Sequence, residues 1–146
     1  MKKIEFSIEV DAPREKVWDI LWGKDTYPQW TAPFSEGSRA ETDWKEGSKV
    51  LFLNADNEGM IARIAKNIPN EYMSIEHLGV IMDGIEHTEN EKSNDWAGAL
   101  ENYTLKTVNG KTQLLVDMGI TEEYEDFFND TWPKALNKIK ELSEKK

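Results

Sequence analysis

Few side chains in this sequence could do chemistry. There are two histidines, His77 and His87, and no cysteine. His77 falls in Tyr72 to Leu78, a segment that reads as a strand, three residues from Ser74 and next to Glu76. Facing a pocket, it would serve as a general base or bind a ligand's polar group. Facing an ordinary core, it would be a hydrogen-bonded sheet histidine. His87 lies among carboxylates in Glu86-His87-Thr88-Glu89. Two histidines with nearby carboxylates could hold a divalent ion, but no spacing such as His-x-x-x-His is present, so no metal is expected. Glu101 and Tyr103 alternate along one strand and share a face. Turned inward, Glu101 would be a carboxylate in an apolar pocket, suited to acid–base work or to pairing with a cationic ligand. Turned outward, it would be plain surface. His77, Glu101 and Tyr103 are therefore weak catalytic candidates. The chain carries no Gly-x-Ser-x-Gly, no phosphate-cradling glycine loop and no dinucleotide fingerprint, so no cofactor is expected.

The elements that must position these groups come from one short chain. Its 146 residues suit one domain, expected to span residues 1–146. A domain of this size buries about two-thirds of its unfolded surface and needs no staples. Fifteen aromatic residues, six of them Trp, exclude a disordered chain. The net charge of −10 argues against nucleic acid and anionic membrane as partners. The absence of cysteine removes disulfides, thiol nucleophiles and cysteine metal sites. The start, Met1-Lys2-Lys3-Ile4-Glu5, lacks the apolar core of a signal peptide, and no apolar run approaches the roughly 20 residues of a membrane span. A cytoplasmic protein without membrane insertion is the expectation.

Ile4, Phe6, Ile8 and Val10 alternate with polar residues, the pattern of a half-buried strand. Pro13 opens a helix whose Val17, Ile20 and Leu21 share a face, with Trp18 and Trp22 as a second stripe and Gly23 as its end. A short, initially helical turn, Lys24 to Trp30, leads to Ala32-Pro33-Phe34. Strands follow near Arg39 to Trp44, at Val50 to Leu53, at Met60 to Ile64 and at Tyr72 to Leu78. Tyr103 to Val108 and Thr112 to Met118 flank Asn109-Gly110, the strongest short hairpin signal in the chain. Residues 80–98 are acidic and aperiodic, and read as a long loop with a short strand near Ile81. Thr121 caps a long last helix bearing Phe128, Trp132, Ala135, Ile139 and Leu142, with a kink expected at Pro133.

Strand, helices, antiparallel meander and final helix, in that order, make an α+β fold. A curved sheet with a long helix across its concave face leaves a space lined by alternate strand residues. Val10-Asp11-Ala12-Pro13-Arg14-Glu15-Lys16-Val17-Trp18 resembles the opening of START-like (SRPBCC, birch-pollen-allergen-like) domains. Tyr27-Pro28-Gln29-Trp30, Trp44 to Val50 and Ile68-Pro69-Asn70-Glu71-Tyr72 resemble later signatures of the same superfamily. The tail, with Trp132-Pro133-Lys134-Ala135-Leu136, resembles the subgroup named after the activator of the heat-shock-protein-90 ATPase. The resemblance implies a helix-grip fold: a curved antiparallel sheet wrapped around a long C-terminal helix, with short helices after strand 1. It also implies a deep apolar pocket, in a superfamily whose members bind lipids, hormones or polyketides and include cyclases and hydrolases.

Alternation and helical spacing nominate the lining of such a pocket: Trp30, Phe34, Phe52, Ile64, Ile75, His77, Trp96, Tyr103, Leu105, Phe128 and Trp132. For each of them ordinary core packing is the plainer explanation. Three functions remain: binding of a small hydrophobic or amphipathic ligand, lipid-like or polyketide-like; a co-chaperone-like or stress-related interaction with a protein partner; and cyclase- or hydrolase-type catalysis. Binding is the favoured reading, because the pocket follows from the architecture while no catalytic motif is present.

Overall fold

The computed structural model describes residues 2–87, 98–120 and 122–145. Eight strands form one antiparallel sheet in the order β1-β8-β7-β5-β4-β3-β2, with β6 paired to β5. β1 (Lys2–Val10) keeps its alternation in space, with Ile4 and Val10 buried and Lys3, Glu5 and Glu9 exposed. Two short helices follow it, α1 (Arg14–Trp22) and α2 (Tyr27–Thr31). Then come β2 (Arg39–Glu41), β3 (Lys49–Leu53), β4 (Gly59–Ile68), β5 (Tyr72–Met82), β6 (Ile85–His87), β7 (Leu100–Val108) and β8 (Lys111–Ile120). A 3₁₀ turn at Glu122–Tyr124 leads into the long helix α3 (Glu125–Glu144). This is the expected α+β helix-grip architecture.

The β7–β8 hairpin turns at Asn109 and Gly110, with φ of 52° and 79°. Both central residues of a type I′ turn need positive φ, as the dipeptide implied. β1 then runs the length of β8, from Lys2 opposite Ile120 to Val10 opposite Thr112. The buried Thr112 hydroxyl donates to the Ala12 carbonyl at 2.7 Å and ties the hairpin to the start of α1. One feature departs from the sequence reading. The expected loop from residue 80 is instead a hairpin at its near end: Asp83 and Gly84, φ 54° and 74°, turn β5 into β6. The acidic composition hid that Asp-Gly signal. α1 ends at Gly23 as expected, with extended backbone there (φ −70°). Glycine is required there by space, since an added Cβ would lie 2.6 Å from the Asp19 carbonyl oxygen. α3 runs from Glu125 to Glu144 with Pro133 inside it. Thr121, the expected cap, lies outside the described residues.

α3 packs along β1 and against α1 and α2, and the main core fills the layer between helices and sheet. Val17 and Leu21 of α1, Ile64, Met73, Ile75 and Leu105 of the sheet, and Trp132, Ala135 and Ile139 of α3 are all buried in it. On β4, Ile64 points inward, while Arg63 points out and pairs with Glu76 across the ladder, Nη2 to Oε1 2.6 Å. No helix among the described residues is long and apolar enough to cross a membrane.

Candidate functional site

Helix α2 is held by two side chains that satisfy carbonyls of α1. Thr26 Oγ1 donates to the Ile20 carbonyl at 2.7 Å, and the indole Nε1 of Trp30 donates to the Leu21 carbonyl at 3.1 Å. Carbonyls at the end of a helix lack internal partners, so these bonds fix both the helix end and the Trp30 ring. Phe128 and Trp132, four residues apart on α3, share a face turned toward α2 and the sheet. Phe34 meets Trp132 edge-on with ring centroids 4.9 Å apart, and Trp30 lies 6.1 Å from Trp132. Tyr27 stacks on Phe52 of β3 at 6.2 Å. Between these rings and the sheet lies a cavity of about 310 Å³, lined by seven aromatic side chains among the described residues: Tyr27, Trp30, Phe34, Phe52, Tyr103, Phe128 and Trp132.

One polar cluster interrupts this lining. Glu101 sits on β7 opposite Ile75 of β5 and Met118 of β8, facing the cavity. The Tyr103 hydroxyl donates a short hydrogen bond to its Oε2, and His77 Nε2 lies 3.4 Å from its Oε1. His77 is itself 8% exposed, and its Nδ1 is buried without a partner among the described residues. Burial, and then the charge on Glu101, push the Tyr27 hydroxyl's pKa up. For Tyr103, burial acts first; the Glu101 charge and the hydrogen bond to it push the same way. Both phenols stay protonated, and that of Tyr103 donates to Glu101. Polar residues from the segment after α2 and the β3–β4 turn complete the lining, among them Ser38, Arg39, Asn54 and Glu58. Arg39 is already engaged, donating to Glu41 Oε2 at 3.1 Å, to the Asn54 carbonyl at 3.3 Å and to Asn57 Oδ1 at 2.6 Å.

Of the residues nominated from the sequence, Trp30, Phe34, Phe52, His77, Tyr103, Phe128 and Trp132 line this cavity, and Glu101 joins them. Ile64, Ile75 and Leu105 do not. They face inward as alternation required, but close packing against the helices leaves each at 2% exposure or less. Alternation chooses a face of the sheet; it does not say where along that face the helices close down. Nearby, Trp22 fills space against Trp44 at 4.7 Å and against Tyr103 at 4.9 Å. Trp96 and the side chain of His87 lie outside the described residues. Tyr27 and Met118 were missed, although both carried a signal. Tyr27 is three residues before Trp30 on one helical face, and Met118 continues the alternation of Leu114 and Val116. Nothing local to Arg39 or Glu58 marked them, because a tertiary turn brings them to the cavity. Among the described residues no group of three or more His, Asp or Glu side chains could hold a metal ion.

Comparison with known proteins bears on this fold. The chain is similar to the Aha1 dimer from Colwellia psychrerythraea, with 20% identity, a TM-score of 0.76, and coverage of 99% of this chain and 97% of that one. A protein from Mesorhizobium loti matches with 14% identity, a TM-score of 0.72, and coverage of 97% and 96%. A putative protein of the dynemicin biosynthetic locus matches with 14% identity and a TM-score of 0.70, over 96% of this chain and 46% of that one. At such identities the likeness establishes the fold alone. No curated protein matches the sequence. A family model described as "Activator of Hsp90 ATPase homolog 1-like protein" matches residues 11–144. By that match, which takes in every element from α1 to α3, the chain belongs to the family of activator of Hsp90 ATPase homolog 1-like proteins.

Proposed function

We propose that this protein binds a small hydrophobic or amphipathic molecule in the cavity between the sheet and α3. The observation that carries the reading is the cavity of about 310 Å³ walled by seven aromatic rings, with polar groups confined to one cluster and one side. Ligand sites are typically concave and apolar, with a few convergent polar groups that set orientation. Rings walling an open cavity leave apolar surface that a guest would remove from water, at about 25 cal/mol per Å². A solved neighbour from the dynemicin biosynthetic locus has the same fold, which is compatible with a polyketide-like guest.

Native mass spectrometry of protein purified gently from its own host tests the reading. An added mass that disappears on denaturation is the expected result. In parallel, delipidated protein should melt at higher temperature with a ligand from an amphiphile panel, since ligand at 100 times Kd adds about 2.7 kcal/mol. An apo mass together with an unmoved melting temperature across the panel would sink the proposal, and weight would pass to a protein partner.

A further inference from the structure

The cavity's electrostatics narrow the chemistry of its guest, an inference that rests on the binding reading above. Aromatic faces carry negative quadrupole charge and attract cations, Trp most strongly. Here Trp30, Trp132, Tyr27 and Phe52 line the same cavity as the carboxylate of Glu101. A carboxylate offers about four acceptor sites. The Tyr103 hydroxyl takes one and the His77 ring a second at 3.4 Å, which leaves acceptor capacity unfilled on a side chain only 18% exposed. Against a carboxylate oxygen, which only accepts, His77 can bond only through an Nε2–H, and its buried Nδ1 has no partner among the described residues. A second carboxylate, Glu58, also lines the cavity. No lysine does so among the described residues, and Arg39 is spoken for by Glu41, Asn54 and Asn57.

We infer that the cavity takes a cationic amphiphile: an ammonium group set on Glu101, with an apolar chain lying against Phe34, Phe128 and Trp132. A charge-assisted bond from ammonium to carboxylate fills the free acceptor capacity, and the ring faces stabilise the same charge. An anionic head group would meet unfavourable charge from Glu101 and Glu58, while the one guanidinium in the lining, Arg39, is already paired with Glu41. A neutral alcohol would gain neither attraction.

The test compares octylamine, octanol and octanoic acid on the delipidated full chain, by calorimetry and by melting temperature. Octylamine should bind about tenfold or more tighter than either other probe. Glu101→Gln should remove the preference of octylamine over octanol, and Glu101→Asp, which keeps the charge, should restore part of it. Octanol or octanoic acid binding as tightly as octylamine would overturn the inference while the binding reading stands. So would an amine preference that survives in Glu101→Gln. Failure of all three probes, with an apo native mass, would remove both. The wild-type ranking decides the matter even if Glu101→Gln does not fold.

Discussion

At the scale of residues, single polar groups are asked to do specific work in apolar surroundings. Tyr27 and Tyr103 both have their pKa raised, first by burial and then by the charge on Glu101. The sign of the consequence follows from proton counting. In the unfolded chain a tyrosine loses its proton near pH ~10, while in the folded chain these two keep theirs. Above that pH the folded state holds more protons than the unfolded state, so stability falls as pH rises. Melting temperature should be flat with respect to these groups below pH ~10 and drop above it. In Tyr27→Phe the drop should be shallower; an unchanged slope would show that Tyr27 does not contribute. Thr112 offers a second check. Thr112→Val leaves the buried Ala12 carbonyl without its donor, at a cost of about 1–3 kcal/mol by denaturant titration. Alternation showed that Glu101 shares a face with Tyr103 but not that the face turns inward, and its link to His77 was not legible either, because the two lie 24 residues apart and meet through the pairing of β5 with β7.

At the scale of elements, local rules worked where the chain's own chemistry decides. Asn109-Gly110 specified a hairpin, and Val17, Ile20 and Leu21 specified a helical face, because turn dihedrals and helical periodicity are properties of a few adjacent residues. The β5–β6 hairpin at Asp83-Gly84 was harder to see, because the surrounding charge masked its turn signal. Pro133 is the unusual element-level feature, since it removes a hydrogen bond within α3 and crowds the preceding turn. Pro133→Ala should therefore stabilise the protein by about 1 kcal/mol or more, read as a higher denaturation midpoint. A lower midpoint would mean that a bend at this position is needed to seat Trp132 and Phe128. Trp30→Phe should cost about 1–3 kcal/mol, since it strips the Leu21 carbonyl of its indole partner while keeping a ring in the wall.

At the scale of the molecule, sheet, helices and charge act together. A net charge of −10 on 146 residues is self-repulsive in the compact state. Added salt shortens the range of that repulsion to about 10 Å at 0.1 M. Melting temperature should therefore rise between low and moderate ionic strength. A fall would mean that attraction within surface ion pairs such as Lys49–Glu86 outweighs the net repulsion. The cavity itself belongs to this scale. Its walls come from α2, β2, β3, β4, β5, β7, β8 and α3, and no contiguous stretch of sequence contains it.

The type and order of most elements followed from sequence alone, β6 excepted, since they depend on the two-residue and 3.6-residue periods that side chains impose on backbone. Order and type together led to an α+β fold with a helix across the sheet, the resemblance of the Val10–Trp18 and Trp132–Leu136 segments implied the helix grip, and alternation and helical spacing pointed to most of the aromatic wall. Only the tertiary structure decided where the helices close on the sheet. That is why Ile64, Ile75 and Leu105 are packed core while Tyr27, Met118 and Glu58 reach the cavity. The same placement set His77 beside Glu101 and left Glu101 with acceptor capacity to spare. Such outcomes depend on how bulky rings such as Trp22, Trp30 and Trp132 share a limited interior, a packing problem that no local pattern solves.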